Sequence, residues 1–376
     1  WIGTDDGNVQ LTRDDGRTWV EVSQNILGLP QNAYVSRVLA SRQGRGHAYV
    51  TFDRHREGDW SPYVYKTEDF GKNWKSLSAD LPSGSINVIV EHPDNHDLLF
   101  IGTEHAVFFS LNSGIDWQKV TSNLPTTLYD DMIIHPREKD LILGTHGRSF
   151  WVLDDLAPLA EWNESKDKDV HLFSTRDATL FYYWKSTSYR SQEEWAGPNP
   201  EYGALINYVV NTDADSVTIT IKQRNQIVRQ YKEKSDKGKL KRLVWDLKYD
   251  TPTFSADAGD KEGLIKPKPE EILPKPPHPL RIQGVDVSPG SFDIVVSTDD
   301  SKSSGKVLVK GDPLVDISSG QYRLRESFLL KVHKLYEDSF ALNKRLKDLI
   351  ERSKDEVEED DEEFVILKAK QKTANS

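Results

Sequence analysis

Side chains that could do chemistry gather at a few short turns in the first 150 residues. They combine carboxylates with arginine, histidine and aromatic rings. Paired carboxylates can hydrolyse a glycosidic bond, arginine can hold a carboxylate in a bidentate manner, and tryptophan can stack on a sugar or a peptide. These turns therefore predict a ligand-binding surface. The candidate residues are Asp5, Asp6, Arg54, His55, Trp60, Glu104, His105, Tyr129, Asp131, His146 and Arg148.

The usual motifs for other kinds of chemistry do not occur in the sequence. There is no cysteine, so disulfides and thiolate chemistry are excluded. A glycine-rich phosphate loop, an H-E-x-x-H helix and a serine nucleophile elbow are also missing. His146 and Arg148 alone are too few for a metal site. We therefore expect no cofactor and no metal, and we assign no catalytic residues, so whether the protein is an enzyme stays open.

Charge and hydropathy limit the partners. The formal net charge of −11 argues against nucleic acid, which binds basic surfaces. No run of about 18 apolar residues is present, so the sequence predicts no membrane span. Neither a nucleic-acid partner nor a membrane span is therefore expected.

A repeated turn accompanies the candidate positions. The pattern Ser/Thr-x-Asp/Asn-x-Gly-x-x-Trp occurs three times, with spacings of 55 and 43 residues between successive glycines. Its Asp or Asn can accept hydrogen bonds from the turn backbone, its glycine supplies a positive φ, and its tryptophan can pack across the hairpin. These roles are structural. The residues are Asp14, Gly16, Trp19, Asp69, Gly71, Trp74, Asn112, Gly114 and Trp117.

Each period contains four short runs rich in β-forming residues, separated by turn residues. In one period they are residues 86–91, 98–103, 107–111 and 117–121. Four antiparallel strands in about 43 residues are typical of a β-propeller blade. Because successive turns of a blade alternate between its two faces, the candidate binding residues should share the face opposite the repeated tryptophan turns.

The three turns resemble the Asp-box, or BNR, repeat of sialidases, xyloglucanases and sortilin-type receptors. The closing segment "GTHGRSFWVLDDLAPL" (144–159) resembles the last blade of bacterial sortilin-like, glycosyl-hydrolase-like BNR proteins. The resemblance implies a BNR β-propeller over residues 1–158. Asn112 replaces the aspartate in the third turn, and the fourth period has no such turn, which suits a terminal blade.

The propeller is expected to be incomplete. The sequence supplies roughly three and a half blades, whereas a closed ring needs at least about four. Trp1 already falls inside a strand of the repeat. We therefore expect the chain to be the C-terminal part of a longer protein, with upstream sequence or another chain as the partner that supplies the missing blades.

The second half of the sequence lacks the repeat but keeps β signals. Its strand-like runs predict an immunoglobulin- or fibronectin III-like β-sandwich over 168–314, interrupted by a proline-rich insertion at 252–288. An apolar stripe from Phe328 to Leu349 predicts a helix over 320–352 that packs on its own protein. An acidic tail covers 353–376. The predicted fold class is mainly β, with a C-terminal helix.

Three functions follow from this organisation. The leading one is an extracellular or envelope binding or scaffold module that recognises protein or polysaccharide through one propeller face. The first alternative is a sialidase-like or xyloglucanase-like glycoside hydrolase with its active site on the same face. The second is a sortilin-like sorting or assembly factor that holds peptides inside the ring. The expected location is secreted, periplasmic or cell-surface.

Overall fold

The computed structural model describes residues 1–182, 199, 201–251, 284–353, 366 and 369–370, and the described chain is mainly β. It divides into two compact units. The first comprises Trp1–Arg176, Asn207–Thr212 and Lys237–Lys241, and the second comprises Asp177–Ile206, Asp213–Asp236 and Arg242–Ser376. Most of the predicted proline-rich insertion (252–288) and of the acidic tail (353–376) lies outside the described residues.

The first unit contains four antiparallel sheets that follow one another along the chain, as blades of a β-propeller do. Their strand orders are β1-β2-β3, β4-β5-β6-β7, β8-β9-β10-β11 and β12-β13-β14. The second and third sheets thus have the four strands that the period predicts. The strands are β1 Ile2–Gly3, β2 Val9–Leu11, β3 Val20–Glu21, β4 Tyr34–Ala40, β5 Ala48–Arg54, β6 Asp59–Thr67, β7 Lys75–Ser76, β8 Ile86–Glu91, β9 Leu99–Thr103, β10 Val107–Ser110, β11 Gln118–Lys119, β12 Tyr129–Ile134, β13 Leu141–Thr145 and β14 Phe150–Leu153.

The core of this unit lies between neighbouring sheets. One buried cluster joins Val9 and Leu11 of the first sheet to Phe52 of the second. A second joins the second and third sheets, and a third joins the third and fourth. Since both faces of the two middle sheets are covered, their central strands β5 and β9 are buried on both sides, whereas the outer strands β7 and β11 are exposed. This explains the continuous apolar run of β9, whose five residues are all buried.

Each first strand of the second, third and fourth sheets carries a β-bulge near its beginning. The register shifts between Val35 and Arg37 in β4, between Ile86 and Val88 in β8, and between Tyr129 and Asp131 in β12. The extra residue is Ser36, Asn87 or Asp130. A bulge interrupts the alternation of side chains between the two faces of a strand, so it changes which residues near these strand ends point into the core.

The turns lie alternately at the two ends of the strands. We use the name hairpin face for the end that carries the turns after β1, β5, β9 and β13 and the beginning of β12. The three repeated tryptophan turns lie at the other end. The β5–β6 turn is the most elaborate on the hairpin face, because it includes a 3₁₀ helix at His55–Glu57 that ends at Gly58 in a left-handed conformation.

The three tryptophan turns share one hydrogen-bonding plan. The side chains of Asp14, Asp69 and Asn112 each accept a hydrogen bond from the backbone N–H four residues on, at 2.8, 2.9 and 3.0 Å. The Thr18 hydroxyl contributes most to lowering the pKa of Asp14, and the backbone N–H of Asn73 contributes most to lowering that of Asp69. The three glycines have φ values of 86°, 75° and 83°. The tryptophans differ, because Trp117 is buried whereas Trp19 is 41% exposed.

His92 introduces a pH dependence into the turn between β8 and β9. Its Nδ1 accepts the backbone N–H groups of Asp94 and Asn95 at 3.3 and 3.1 Å, and burial lowers its pKa. An unfolded histidine binds its proton near pH ~6.5, so the folded state binds fewer protons there. We expect the free energy of unfolding to decrease as the pH falls through about 6.5.

Urea denaturation at several pH values checks the contribution of His92. The decrease in unfolding free energy should be smaller in His92→Gln, and the variant of the exposed His96, His96→Gln, should keep the wild-type dependence. Equal slopes in the wild type and His92→Gln would contradict the assignment.

A short helical connector follows the last blade in the first unit. It consists of α1 (Ala157–Ala160) and α2 (Trp162–Ser165), and β15 (Val170–Leu172) then pairs with residues 208–210 of β17 (Ala204–Val210). Asp155, which precedes α1, is buried and accepts a hydrogen bond from the Asn207 side chain at 2.7 Å. The connector is therefore part of the packed first unit.

The second unit is built on a five-stranded sheet in the order β16-β22-β21-β18-β19. All pairs are antiparallel except β16–β22. Trp245 is completely buried, and its ring lies edge-on to Phe292 at 5.0 Å. Its strands, with those that cross the division between units, are β16 Ala178–Leu180, β17 Ala204–Val210, β18 Ser216–Gln223, β19 Gln226–Lys234, β20 Lys241–Trp245, β21 Gly290–Ser297 and β22 Lys302–Gly311.

Helix α3 (Ser319–Ser353) occupies the stretch for which the apolar stripe predicts a helix. Glu326 attaches it to the second unit by accepting hydrogen bonds from the Tyr249 hydroxyl and from Ser288. The apolar stripe is expected to pack on the protein itself, but Phe328, Leu335 and Leu342 are exposed. Among the described residues, no helix is long and apolar enough to cross a membrane.

Candidate functional site

Two neighbouring turns of the hairpin face bring four of the predicted binding residues together. The β5–β6 turn supplies His55 and Trp60, and the β9–β10 turn supplies Glu104 and His105. The Nδ1 atom of His55 lies 4.0 Å from Glu104 Oε1, and Nε2 of His105 lies 3.9 Å from Glu104 Oε2. The rings of His55 and Trp60 are 6.0 Å apart between centroids. These residues form one contiguous site across the second and third sheets.

Asp53 is part of this site, although its sequence context did not single it out. Its carboxylate accepts the backbone N–H of His55 at 2.9 Å and contacts His55 Nδ1 at 2.5 Å. The end of β5 therefore fixes the orientation of the imidazole. An aspartate two residues before a histidine at a strand end is the only signal in the sequence that points to this pairing.

Glu104 has the most unusual environment in the site. Its side chain is only 10% exposed, and burial raises its pKa, with His55 opposing the rise and Asp53 adding to it. No hydrogen bond to its carboxylate occurs within the part of the chain that the structure describes. A carboxyl group with a raised pKa next to a second carboxylate can donate a proton, and its ionised form can bind a cation.

Arg54 is turned away from this group of residues. Its guanidinium lies 3.6 Å from Asp59 Oδ2, and Asp59 also accepts a hydrogen bond from the Tyr63 hydroxyl at 2.8 Å. Arg54 is thus engaged within the β5–β6 hairpin. Arg54 lies at the end of β5 on the hairpin face, and its pairing with Asp59 is not apparent from the sequence.

Asp131 and His146 mark a second part of the hairpin face. Asp131 forms an ion pair with Arg37 of β4, a residue that sequence reasoning missed because the two lie 94 positions apart. His146 Nδ1 lies 3.4 Å from Asp130 Oδ2, and both side chains are largely exposed. Arg148 is also exposed. These side chains are accessible to a ligand from solvent.

The remaining predicted binding residues, Asp5, Asp6 and Tyr129, do not join either of these two parts of the hairpin face. Asp6 accepts hydrogen bonds from Thr4 and Asn8 in its own turn, and the Thr4 hydroxyl contributes most to lowering its pKa. Asp5 is exposed in the same turn. Tyr129 is completely buried, and its hydroxyl donates to the Pro125 carbonyl at 2.7 Å. Its side chain contributes to the core and is not exposed on the hairpin face.

A groove runs along the first strands of the second, third and fourth sheets. It has a volume of about 230 Å³ and is lined by β4, β8 and β12. Arg37, Arg42 and the exposed Ile133 contribute to its walls. Glu91 in this groove accepts hydrogen bonds from Ser41 and from the Tyr49 hydroxyl. The groove combines apolar surface with cationic side chains, a mixture that suits a peptide.

Comparison with known proteins identifies one family. Residues 62–249, half of the chain, match the family described as "Sortilin, neurotensin receptor 3". No curated protein matches the sequence. Among solved structures, the GH74 xyloglucanase of Xanthomonas campestris is 16% identical with a TM-score of 0.32, over 39% of this chain and 24% of that one. The GH74 enzyme of Niastella koreensis is 16% identical with a TM-score of 0.34, over 41% and 26%. The chain thus spans about a quarter of the length of these two proteins.

Proposed function

Because this chain belongs to the sortilin family, we propose that it is a binding module that recognises a protein or polysaccharide ligand through the hairpin face of its blades. The observation that carries the proposal is the exposed ring of Trp60 at the edge of the Asp53–His55–Glu104 group. A large aromatic surface beside partly buried charged groups is typical of ligand sites.

The backbone around Trp60 supports a role as a fixed platform. The Trp60 carbonyl accepts hydrogen bonds from the Gly84 N–H at 2.7 Å and from the Ser83 hydroxyl at 3.2 Å. The loop between the second and third sheets therefore anchors this residue. A ring that is 44% exposed yet held by its backbone loses little conformational entropy when a ligand stacks on it.

The family description supports a peptide as the first ligand class to test. It names a neurotensin receptor, so peptides of the neurotensin type are the first candidates. The charges of the hairpin face are compatible with this class, because Arg148 and His146 could contact carboxylates while Asp5 and Asp130 could contact basic groups. Polysaccharides stay in the test because tryptophan also stacks on sugar rings.

The test measures binding of a panel of peptides and of sialylated and plant-type glycans. For any ligand that binds the wild type, Trp60→Ala is expected to weaken binding more than tenfold, because a central aromatic contact is worth roughly 2 kcal/mol or more. Trp19→Ala is the matched control, since Trp19 is 41% exposed and Trp60 44%, but Trp19 lies at the opposite face. Equal losses in both variants, or no effect of Trp60→Ala, would contradict the proposal.

A glycoside hydrolase is the second candidate, and Glu104 is the observation that favours it. Burial raises its pKa, as a general acid requires, and a carboxylate oxygen of Asp53 lies within 4.8 Å. Retaining glycosidases place two carboxyl groups about 5 to 5.5 Å apart. Release of sugars from the glycan panel, detected by mass spectrometry and abolished in Glu104→Gln, would favour this candidate over a pure binding function.

The proposal also includes a partner for the outer sheets and a location. Phe150 and Val152 of β14 are 79% and 56% exposed, and such apolar surface supports further blades that cover the fourth sheet. The second unit is proposed to be the immunoglobulin- or fibronectin III-like sandwich of an extracellular or envelope protein.

Co-expression with upstream sequence tests the further blades. Increased solubility or stability of this chain would support them, and unchanged solubility and stability would argue against them.

A further inference from the structure

The Asp53–His55–Glu104 group has the composition and spacing of a metal site. One ligand atom from each of the three side chains lies within 4.8 Å of the other two. The donors are two carboxylate oxygens and one imidazole nitrogen. They belong to two adjacent sheets, at the end of β5 and in the turn after β9, so the packing of these sheets fixes their distance from one another.

The group carries negative charge that its described neighbours do not balance. Asp53 and Glu104 are 12% and 10% exposed, and within the described part of the chain the imidazoles of His55 and His105 are the basic groups near Glu104. The guanidinium of Arg54 is directed toward Asp59. A carboxylate that is nine-tenths buried without a hydrogen-bond donor is costly unless a cation compensates it. The arrangement therefore requires a proton or a bound cation.

The distances suit a metal ion. Zinc binds histidine nitrogen and carboxylate oxygen at about 2.0 to 2.2 Å, which separates tetrahedral ligands by roughly 3.3 Å. The contacts from His55 Nδ1 to Asp53 and to Glu104, at 2.5 and 4.0 Å, lie on either side of this value. Side-chain shifts of about 1 Å would equalise them. Calcium and magnesium prefer an all-oxygen shell, so the imidazole favours a transition metal.

We propose that Asp53, His55 and Glu104 bind a divalent transition-metal ion, with zinc as the expected ion. The exposed His105, with Nε2 3.9 Å from Glu104 Oε2, can serve as a fourth ligand or leave that position to water. Trp60 lies beside His55, so the ion would sit next to the aromatic platform. An open position on the metal could then accept a carboxylate or hydroxyl group of the ligand, a consequence that rests on the proposed binding function.

The experiment uses the metal alone and is therefore independent of any organic ligand. After treatment with a chelator and dialysis, isothermal titration of the tag-free protein with zinc should give one equivalent. Glu104→Gln and His55→Ala should each weaken the affinity at least tenfold. Glu104→Gln keeps the size of the side chain, and circular dichroism with thermal melting verifies that both variants fold. Zinc should raise the melting temperature of the wild type but not of the two variants.

His146→Ala is the matched control. It removes an exposed histidine that also faces a carboxylate on the hairpin face, Asp130, but that lies outside the proposed site. This variant should bind zinc like the wild type. The proposal is overturned if the wild type binds no stoichiometric zinc, if Glu104→Gln binds normally, or if His146→Ala loses as much affinity as His55→Ala.

Discussion

Trp117→Ala is expected to lower the free energy of unfolding by about 3 to 5 kcal/mol, the range for removing a buried aromatic side chain. The ring belongs to the cluster between the second and third sheets, together with Tyr49 and Leu77. Its Nε1 donates to the Leu77 carbonyl at 2.8 Å, so the substitution also leaves a backbone acceptor of the neighbouring sheet unpaired. Urea denaturation followed by tryptophan fluorescence and circular dichroism measures the change.

The equivalent substitution in the first repeat gives the control for this large effect. Trp19 occupies the same position of the repeated turn, but it is 41% exposed and its Nε1 donates to Gly16 within its own turn. Trp19→Ala should therefore cost about 1 kcal/mol or less. If the two variants lose similar stability, the burial of each tryptophan does not determine how much it contributes to the free energy of unfolding.

Gly71→Ala is expected to destabilise the protein by about 2 to 4 kcal/mol. The residue has a φ of 75°, a conformation that costs a non-glycine residue roughly 1 to 2 kcal/mol. An added Cβ would also lie 2.7 Å from Cβ of Val22, which directly follows β3. This atom is bonded to the backbone, so it can move away only if the backbone shifts. Overpacking of this kind adds about 1 to 3 kcal/mol.

Gly28→Ala separates these two contributions. Gly28 has a similar φ of 80°, but no atom lies within 4 Å of the position of an added Cβ. Only the backbone cost of about 1 to 2 kcal/mol is therefore expected. The free energies of unfolding of the two variants, measured by urea denaturation, should therefore differ by the cost of the contact between the added Cβ and Val22. Equal free energies would mean that the first and second sheets can separate enough to accommodate a methyl group at Gly71.

The sheets of the first unit could be predicted because their signals are local. Hydrogen bonds between residues two to four apart, as between Asp69 and Asn73, define the repeated turn, and such residue pairs can be read directly from the sequence. The period then gives the number of strands, and the alternation of turns assigns each to a face. On this basis the sequence predicts that one face of the blades carries His55, Trp60, Glu104 and His105.

The pairings within the site depend on contacts between distant residues and could not be predicted. The proximity of Asp53 to Glu104 and of Arg37 to Asp131 depends on how neighbouring sheets pack, which no local pattern encodes. Tyr129 shows a second reason. The bulge between Tyr129 and Asp131 interrupts the alternation of β12, so Tyr129 enters the core while Asp130 and Asp131 both remain exposed. Simple alternation would not place two successive aspartates outside.

The bulges of β4, β8 and β12 have a consequence for how the hairpin face could change during evolution. At Ser36, Asn87 and Asp130 the strand contains one residue more than its partner. The Ser36 hydroxyl is held by Thr51 and the Ile86 carbonyl, whereas the side chain of Asp130 is exposed. Substitutions at Asp130, which is exposed, can therefore change the chemistry of the hairpin face without altering strand register. A library restricted to Asp130 would vary this exposed position while the strand pairing of the fourth sheet stays unchanged.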